Sequence, residues 1–270
     1  MRKPHREEFA DLLNNGIFSV AEGIRVNFVE HAPFLAAIVE NPDDDLPRLV
    51  YADWLEESGD AERAEFIRLH IARWRTKEEQ RYPRPMKARI AELRSANESC
   101  WRAEMPCLPG VTWGRYWRGF VAEAKFVTPA ALVEHAAAAF AATPVRVVQL
   151  SGLGPDAANE VCCLPQLGNL HGLRLDEVSL DPALWRTLTG NAWFARLRHL
   201  IVHPGHRGRF PSVRAGWGDE VVRLVLTGTS EPSQLRIVHF EMPFVSGDHF
   251  KSEYRRRVTI TGLSDDLEPL

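Results

Sequence analysis

The sequence predicts an α/β protein in two parts: a helical N-terminal module, then a short solenoid of strand-plus-helix units with parallel strands and outer helices. Three observations lead there. Apolar residues recur at three- and four-residue spacings from residue 31 to about 104. A Leu-x-x-Leu-x-Leu type of frame occurs four times after residue 140. A chain of 270 residues, 45% hydrophobic and 26% charged, is long enough to bury one large core or two small ones.

In the helical module, Pro33 opens a helix that runs to Glu40, where Asn41-Pro42 breaks it. Asp43-Asp44-Asp45 then offers an N-cap and a favourable charge to a second helix with Pro47 in its first turn, closed by Gly59. Asp60 caps a third helix through Ile67, Ile71 and Trp74. After the break at Tyr82-Pro83-Arg84-Pro85, a fourth helix from about Pro85 carries Met86, Ile90 and Leu93 on one stripe. Residues 1–30 form an N-terminal extension with no assigned role. On the second helix, positions 46, 49, 50, 53 and 54 share one face, which places Asp53 in an apolar stripe. Arg68 shares a stripe with Ala64, Ile67 and Ile71 on the third helix. A buried structural ion pair between Asp53 and Arg68 is therefore expected, rather than a catalytic acid, because no other catalytic group lies near in sequence.

The run Phe34-Leu35-Ala36-Ala37-Ile38, Asn41-Pro42-Asp43-Asp44-Asp45, Arg48-Leu49-Val50-Tyr51-Ala52-Asp53-Trp54-Leu55-Glu56-Glu57, Gly59-Asp60 and Glu65-Phe66-Ile67-Arg68-Leu69 resembles the bacterial repeat-companion domain family over about residues 31–75. Ala64 stands where that family usually has glycine, and His70 where it usually has glutamine. Arg118-Gly119-Phe120-Val121 and the helix from Pro129 to Ala142 also resemble the family's bridge into its repeats. The resemblance implies leucine-rich-repeat-like segments downstream and no assigned enzymatic activity.

The repeats are also visible without the family. The frames Val145-x-x-Val148-x-Leu150, Leu170-x-x-Leu173-x-Leu175, Leu197-x-x-Leu200-x-Val202 and Leu235-x-x-Val238-x-Phe240 follow one another at 25, 27 and 38 residues. The first two intervals lie in the leucine-rich-repeat range of about 20–29. The longer third reads as a loop insertion at 204–218, because Leu188-Thr189-Gly190 and Leu226-Thr227-Gly228 match at the same 38-residue offset. A frame with Val221, Leu224 and Leu226 on a strand of their own loses that match and ranks lower. The resulting division is a helical module at 31–104, a bridging or capping segment at 105–128, the leucine-rich-repeat-like array at 129–242 and a C-terminal cap at 243–270, where Arg257 to Thr261 alternate like a strand.

Function is narrowed mostly by exclusion. A net charge of −3 disfavours a general nucleic-acid binder, and the excess of arginine over lysine reads as genomic base composition. No apolar stretch reaches the roughly 18 residues of a membrane span, and the charged N-terminus leads into no signal-peptide core. The four cysteines have no metal-ligand spacing, so reduced thiols and a cytoplasmic location are expected. No phosphate loop, nucleophile elbow or paired catalytic motif occurs, so neither enzymatic activity nor any cofactor or metal is expected. The alternating strands put Val148, Leu150, Leu173, Leu175, Leu200, Val202, Val238 and Phe240 inward. They leave Val147, Gln149, Gly172, Arg174, Asp176, His199, Ile201, His203, Ile237, His239 and Glu241 outward. The expected function is protein binding through that outward face, with Arg174, Asp176, His199, Ile201, His203, His239 and Glu241 as contact residues. Two alternatives are weighed: a metal-binding protein or hydrolase using His199, His203 and His206 with Asp176 and Glu241, and a nucleic-acid regulator using Trp113, Arg115, Tyr116, Trp117, Arg118 and Phe120 as a stacking platform.

Overall fold

The structure is a computed structural model that describes residues 28–75, 84–204 and 237–240. It is of the α/β class and divides into two compact units. The first unit takes in the residues up to Pro109 together with 118–120 and 141–143; the second takes in the remainder. The N-terminal extension before Phe28, the insertion after Pro204, the Leu226-Thr227-Gly228 match and the segment 257–261 lie outside the described residues. None of the described helices is long and apolar enough to cross a membrane.

The first unit is built on helices α1 (Phe28–Glu40), α2 (Leu46–Glu57), α3 (Ala61–Arg75) and α4 (Arg84–Ala103). Helix α1 begins before Pro33, which sits inside it rather than opening it. The face that Phe34 and Ile38 present to the core extends back one turn to His31, which packs edge-on against Trp54 with ring centroids 4.7 Å apart. The acidic run meets the start of α2 through Asp44, which accepts the Leu46 N–H at 2.9 Å. Asp45 instead forms ion pairs with Arg75 at 2.9 Å and Arg118 at 3.0 Å, so its charge holds two arginines rather than a helix end. At the other end of α2, Gly59 (φ +97°) donates to the Glu56 carbonyl and Asp60 to that of Leu55, the paired bonds of a Schellman stop. Asp60 then accepts the Arg63 N–H at 3.1 Å and caps α3.

The core face of α2 is not the predicted stripe. Arg48, Tyr51, Ala52 and Leu55 are buried, whereas Leu46 is 63% and Val50 47% exposed. The pattern misleads because an arginine occupies the inward row. Its guanidinium donates to the carbonyls of Asp44 (2.7 Å) and Pro42 (2.8 Å), which tie the α1–α2 loop to the helix. Asp53 consequently points outward. It does meet Arg68, at 2.6 Å, and Arg68 also reaches Glu56, but the side chains of Asp53 and Arg68 are 68% and 36% exposed, so the expected buried pair is a surface pair. Tyr51, Ala52, Leu55, Ala64, Ile67, Ile71 and Phe120 form the core with Ile38. Gly119 (φ +85°) makes that packing possible, since a Cβ there would lie 2.7 Å from the Ile67 Cα.

The second unit centres on a six-stranded, mostly parallel mixed sheet. Its strands are β1 (Val111–Trp113), β4 (Glu123–Phe126), β5 (Val147–Ser151), β6 (Gly172–Val178), β7 (His199–Pro204) and β8 (Ile237–Phe240), in that spatial order. Short strands β2 (Tyr116–Trp117) and β3 (Phe120–Val121) pair separately. Only β1, at the edge, runs antiparallel to its neighbour. Each step between β4, β5, β6 and β7 is a crossover to the adjacent strand, through α5 (Pro129–Ala142), α6 (Pro155–Cys162) and α7 (Pro182–Thr189) respectively. Asp181 caps α7 by accepting the Ala183 N–H at 2.8 Å.

The register places equivalent frame residues side by side. Ala124, Val148, Leu173, Leu200 and Val238 form one ladder; Phe126, Leu150, Leu175, Val202 and Phe240 form the next. From Ala124 through Val202 these side chains are buried. The side chains of Val238 and Phe240 lie outside the described residues. At the strand starts the carbonyls of Ala122, Arg146 and His171 each accept two N–H groups, from Arg146 and Val147, His171 and Gly172, and Arg198 and His199. The segment 105–128, expected only to bridge or cap, thus supplies two strands of the sheet. Val121-x-x-Ala124-x-Phe126 is a further copy of the frame, hidden because alanine and phenylalanine replace its leucines.

Candidate functional site

On the side of the sheet opposite these ladders, the pleat turns every second residue outward. One rung reads Lys125, Gln149, Arg174, Ile201 and His239; the next reads Ser151, Asp176 and His203; a third reads Glu123, Val147, Gly172, His199 and Ile237. Lys125, Val147, Gln149, Ser151, Arg174, Asp176, His199, Ile201 and His203 are all half-buried, in contrast to the fully buried ladder residues between them. The described residues therefore include five of the expected contact residues on one face: Arg174, Asp176, His199, Ile201 and His203. His239 lies on the same rung as Ile201, its side chain outside the described residues; Glu241 and His206 lie outside them altogether.

Asp176 organises this face. Its carboxylate accepts Gln149 Nε2 at 2.5 Å from β5, Arg174 Nε at 3.0 and 3.2 Å from its own strand, and meets His203 Nδ1 at 3.1 Å from β7. Three adjacent strands are joined through one anion that is only 16% exposed. Immediately beyond it the pairing shifts by a residue: Glu177 takes a left-handed conformation (φ +51°) in a bulge, and the ladder resumes with Val178 opposite Pro204. Toward the other edge, Glu123 is held by Arg115, which donates from its backbone N–H at 3.1 Å and from Nε at 3.2 Å. The two carboxylates on the described rungs, Asp176 and Glu123, are thus engaged within the protein.

The geometry bears on the hydrolase alternative. Ser151, Asp176 and His203 share a rung, but with the aspartate in the middle, so the histidine does not stand between the hydroxyl and the acid as a base must. Among the described residues no three His, Cys, Asp or Glu side chains converge as metal ligands. Of the proposed stacking platform, Tyr116, Trp117 and Phe120 are buried and only Trp113 and Arg115 retain substantial exposure; Phe120 belongs to the first unit's core and Trp113 lies on the edge strand β1.

Sequence reading missed a second polar cluster, in the first unit. Arg63 on α3 forms a largely buried ion pair with Glu104, and its guanidinium stands 6.0 Å from the centre of the Tyr51 ring. The Tyr51 hydroxyl is 2.6 Å from His31 Nδ1. Burial pushes the tyrosine up to about 12 and, with the Arg63 charge, lowers the histidine. At neutral pH the phenol therefore keeps its proton and donates to a neutral imidazole, an arrangement that holds α1 on α2. Its members are far apart in sequence, which leaves no local motif to find.

The chain matches no family model, no curated protein and no solved structure. What fold and site define is an α/β protein whose second unit presents a half-exposed, mixed-polarity face on a mostly parallel sheet.

Proposed function

We propose that this protein is a non-enzymatic interaction module, with a leucine-rich-repeat-like array that binds a protein partner on its outward strand face and a first unit of the repeat-companion type. The observation that carries the reading is the register itself. It aligns Gln149, Arg174 and Ile201 on one rung and Ser151, Asp176 and His203 on the next, across three parallel strands. Such a face offers hydrogen-bond donors, one open guanidinium end and an aliphatic contact side by side, the mixture found at protein interfaces. Successive one-strand crossovers are what a solenoid requires, and solenoids use their extended strand face for recognition. The dense match at Arg48 to Glu57 supports the companion-domain reading of the first unit.

Site-specific photo-crosslinking tests this in cells of the source organism. A photoreactive residue at Ile201, on the strand face, is expected to capture a defined protein; the same residue at Glu160, exposed on α6, is not. Equal capture from both positions, or capture from Glu160 alone, contradicts the assignment of the face.

A further inference from the structure

Resting on that reading of the face, we infer that the partner segment bound there is an acidic extended peptide, read by Lys125 and Arg174 across the central rung. The two cations lie on strands β4 and β6, with Gln149 of β5 between them. Lys125 is half-buried, yet its ammonium makes no hydrogen bond or ion pair with any described residue. Arg174 spends only its Nε on Asp176, and among the described residues neither Nη group is engaged, on a side chain 35% exposed.

The anions that would repel such a peptide are already occupied. Asp176 receives donors from Gln149, Arg174 and His203, and Glu123 receives two from Arg115. Glu177 sits in the bulge between Asp176 and Val178, off the central rung. The charge that the described residues offer a ligand on the central rung is therefore positive, although the chain as a whole is acidic at −3.

Spacing sets the ligand pattern. Lys125 and Arg174 are two strand spacings apart, about 9.6 Å, and an extended peptide in the polyproline II conformation advances about 3.1 Å per residue and turns the same face to the sheet at every third residue. A peptide lying along the rung thus meets both cations with carboxylates about three residues apart. Ile201, one strand farther, then faces a residue one or two positions beyond the second carboxylate. The pattern is acid-x-x-acid followed closely by an aliphatic residue. Guanidinium and carboxylate planes match in a forked contact, so Arg174 prefers a carboxylate oriented edge-on to its Nη groups.

The test uses fluorescence anisotropy with the full chain and a labelled Ser-Glu-Thr-Ser-Glu-Ser-Leu peptide. Controls are its glutamine-for-glutamate counterpart and a labelled oligothymidylate strand. The glutamate peptide is expected to bind at least about tenfold tighter than the glutamine form, with affinity falling as salt rises. Lys125→Ala and Arg174→Gln are each expected to weaken it about fivefold or more. Lys125→Ala removes no side-chain hydrogen bond to the described residues, and a melting curve like the parent's separates its effect on binding from any effect on folding. Equal affinity for the two peptides, or tighter binding of oligothymidylate than of the glutamate peptide, overturns the inference. If Ile201→Asp abolishes binding of the purified partner captured at position 201 while Lys125→Ala and Arg174→Gln leave that binding intact, the face stands as the site and the acidic preference is wrong.

Discussion

Arg48 and Asp53 sit on opposite sides of α2, and their environments reverse what their types suggest. The arginine is fully buried, with its charge dispersed over two loop carbonyls; the aspartate is largely in solvent. Hydrogen bonds from a buried charged group to loop carbonyls are each worth about 1.5–3 kcal/mol, whereas an exposed ion pair contributes about 0–1 kcal/mol. Arg48→Ala should therefore destabilise the chain by about 3 kcal/mol or more, and Asp53→Ala by less than about 1 kcal/mol. Urea unfolding of both variants checks the ordering; an Asp53→Ala loss as large as that of Arg48→Ala would mean that the α2 face is misassigned.

At the level of elements, α3 packs on α4 through a histidine with unusual surroundings. His70 is buried beside Phe66, ring centroids 4.4 Å apart, and Phe66 in turn packs on Trp101 at 4.7 Å. His70 Nε2 is buried without a hydrogen-bond partner among the described residues. Burial, aided by the charges of Arg73 and Arg94, lowers the imidazole to about 3. The folded state refuses a proton that the unfolded state accepts below the ordinary value of about 6.5, so this contribution to stability is present above that pH and lost as pH falls toward 3. At pH 5 the loss from this one group is about 2 kcal/mol. His31, also lowered, acts in the same direction. His70→Gln should lose correspondingly less stability than the parent between pH 7 and 5 in urea titrations; identical losses would show that His70 is not the group responsible.

Across the whole molecule, legibility followed the regularity of the side chains. Where each frame position holds an aliphatic residue, as at Val148 and Leu150, Leu173 and Leu175, and Leu200 and Val202, the strands and their register could be read directly, and the structure pairs those residues in that register. Strand β4 escaped notice because Ala124 and Phe126 fill the same ladder positions with other shapes, and with it Lys125 was missed as a member of the face. The outward positions followed from the inward ones by alternation alone. What joins them did not, because Gln149 and His203 reach Asp176 from different strands, and the link exists only once the strands are paired. In the first unit, a buried arginine in the core row of α2 defeated a periodicity argument that assumes charges face water.

The central claim is that partner binding resides on the outward strand face, so the most direct measurement compares two apolar-to-acid substitutions on different surfaces of the second unit. Ile201→Asp puts a carboxylate on the central rung, and Val133→Asp puts one on the exposed side of α5. With the partner captured at Ile201 purified, calorimetric titration of both variants, each first shown to melt like the parent, gives the answer. Binding on the strand face is expected to give at least a roughly tenfold loss of affinity for Ile201→Asp and a change within about twofold for Val133→Asp. Undiminished affinity in a folded Ile201→Asp variant would contradict it.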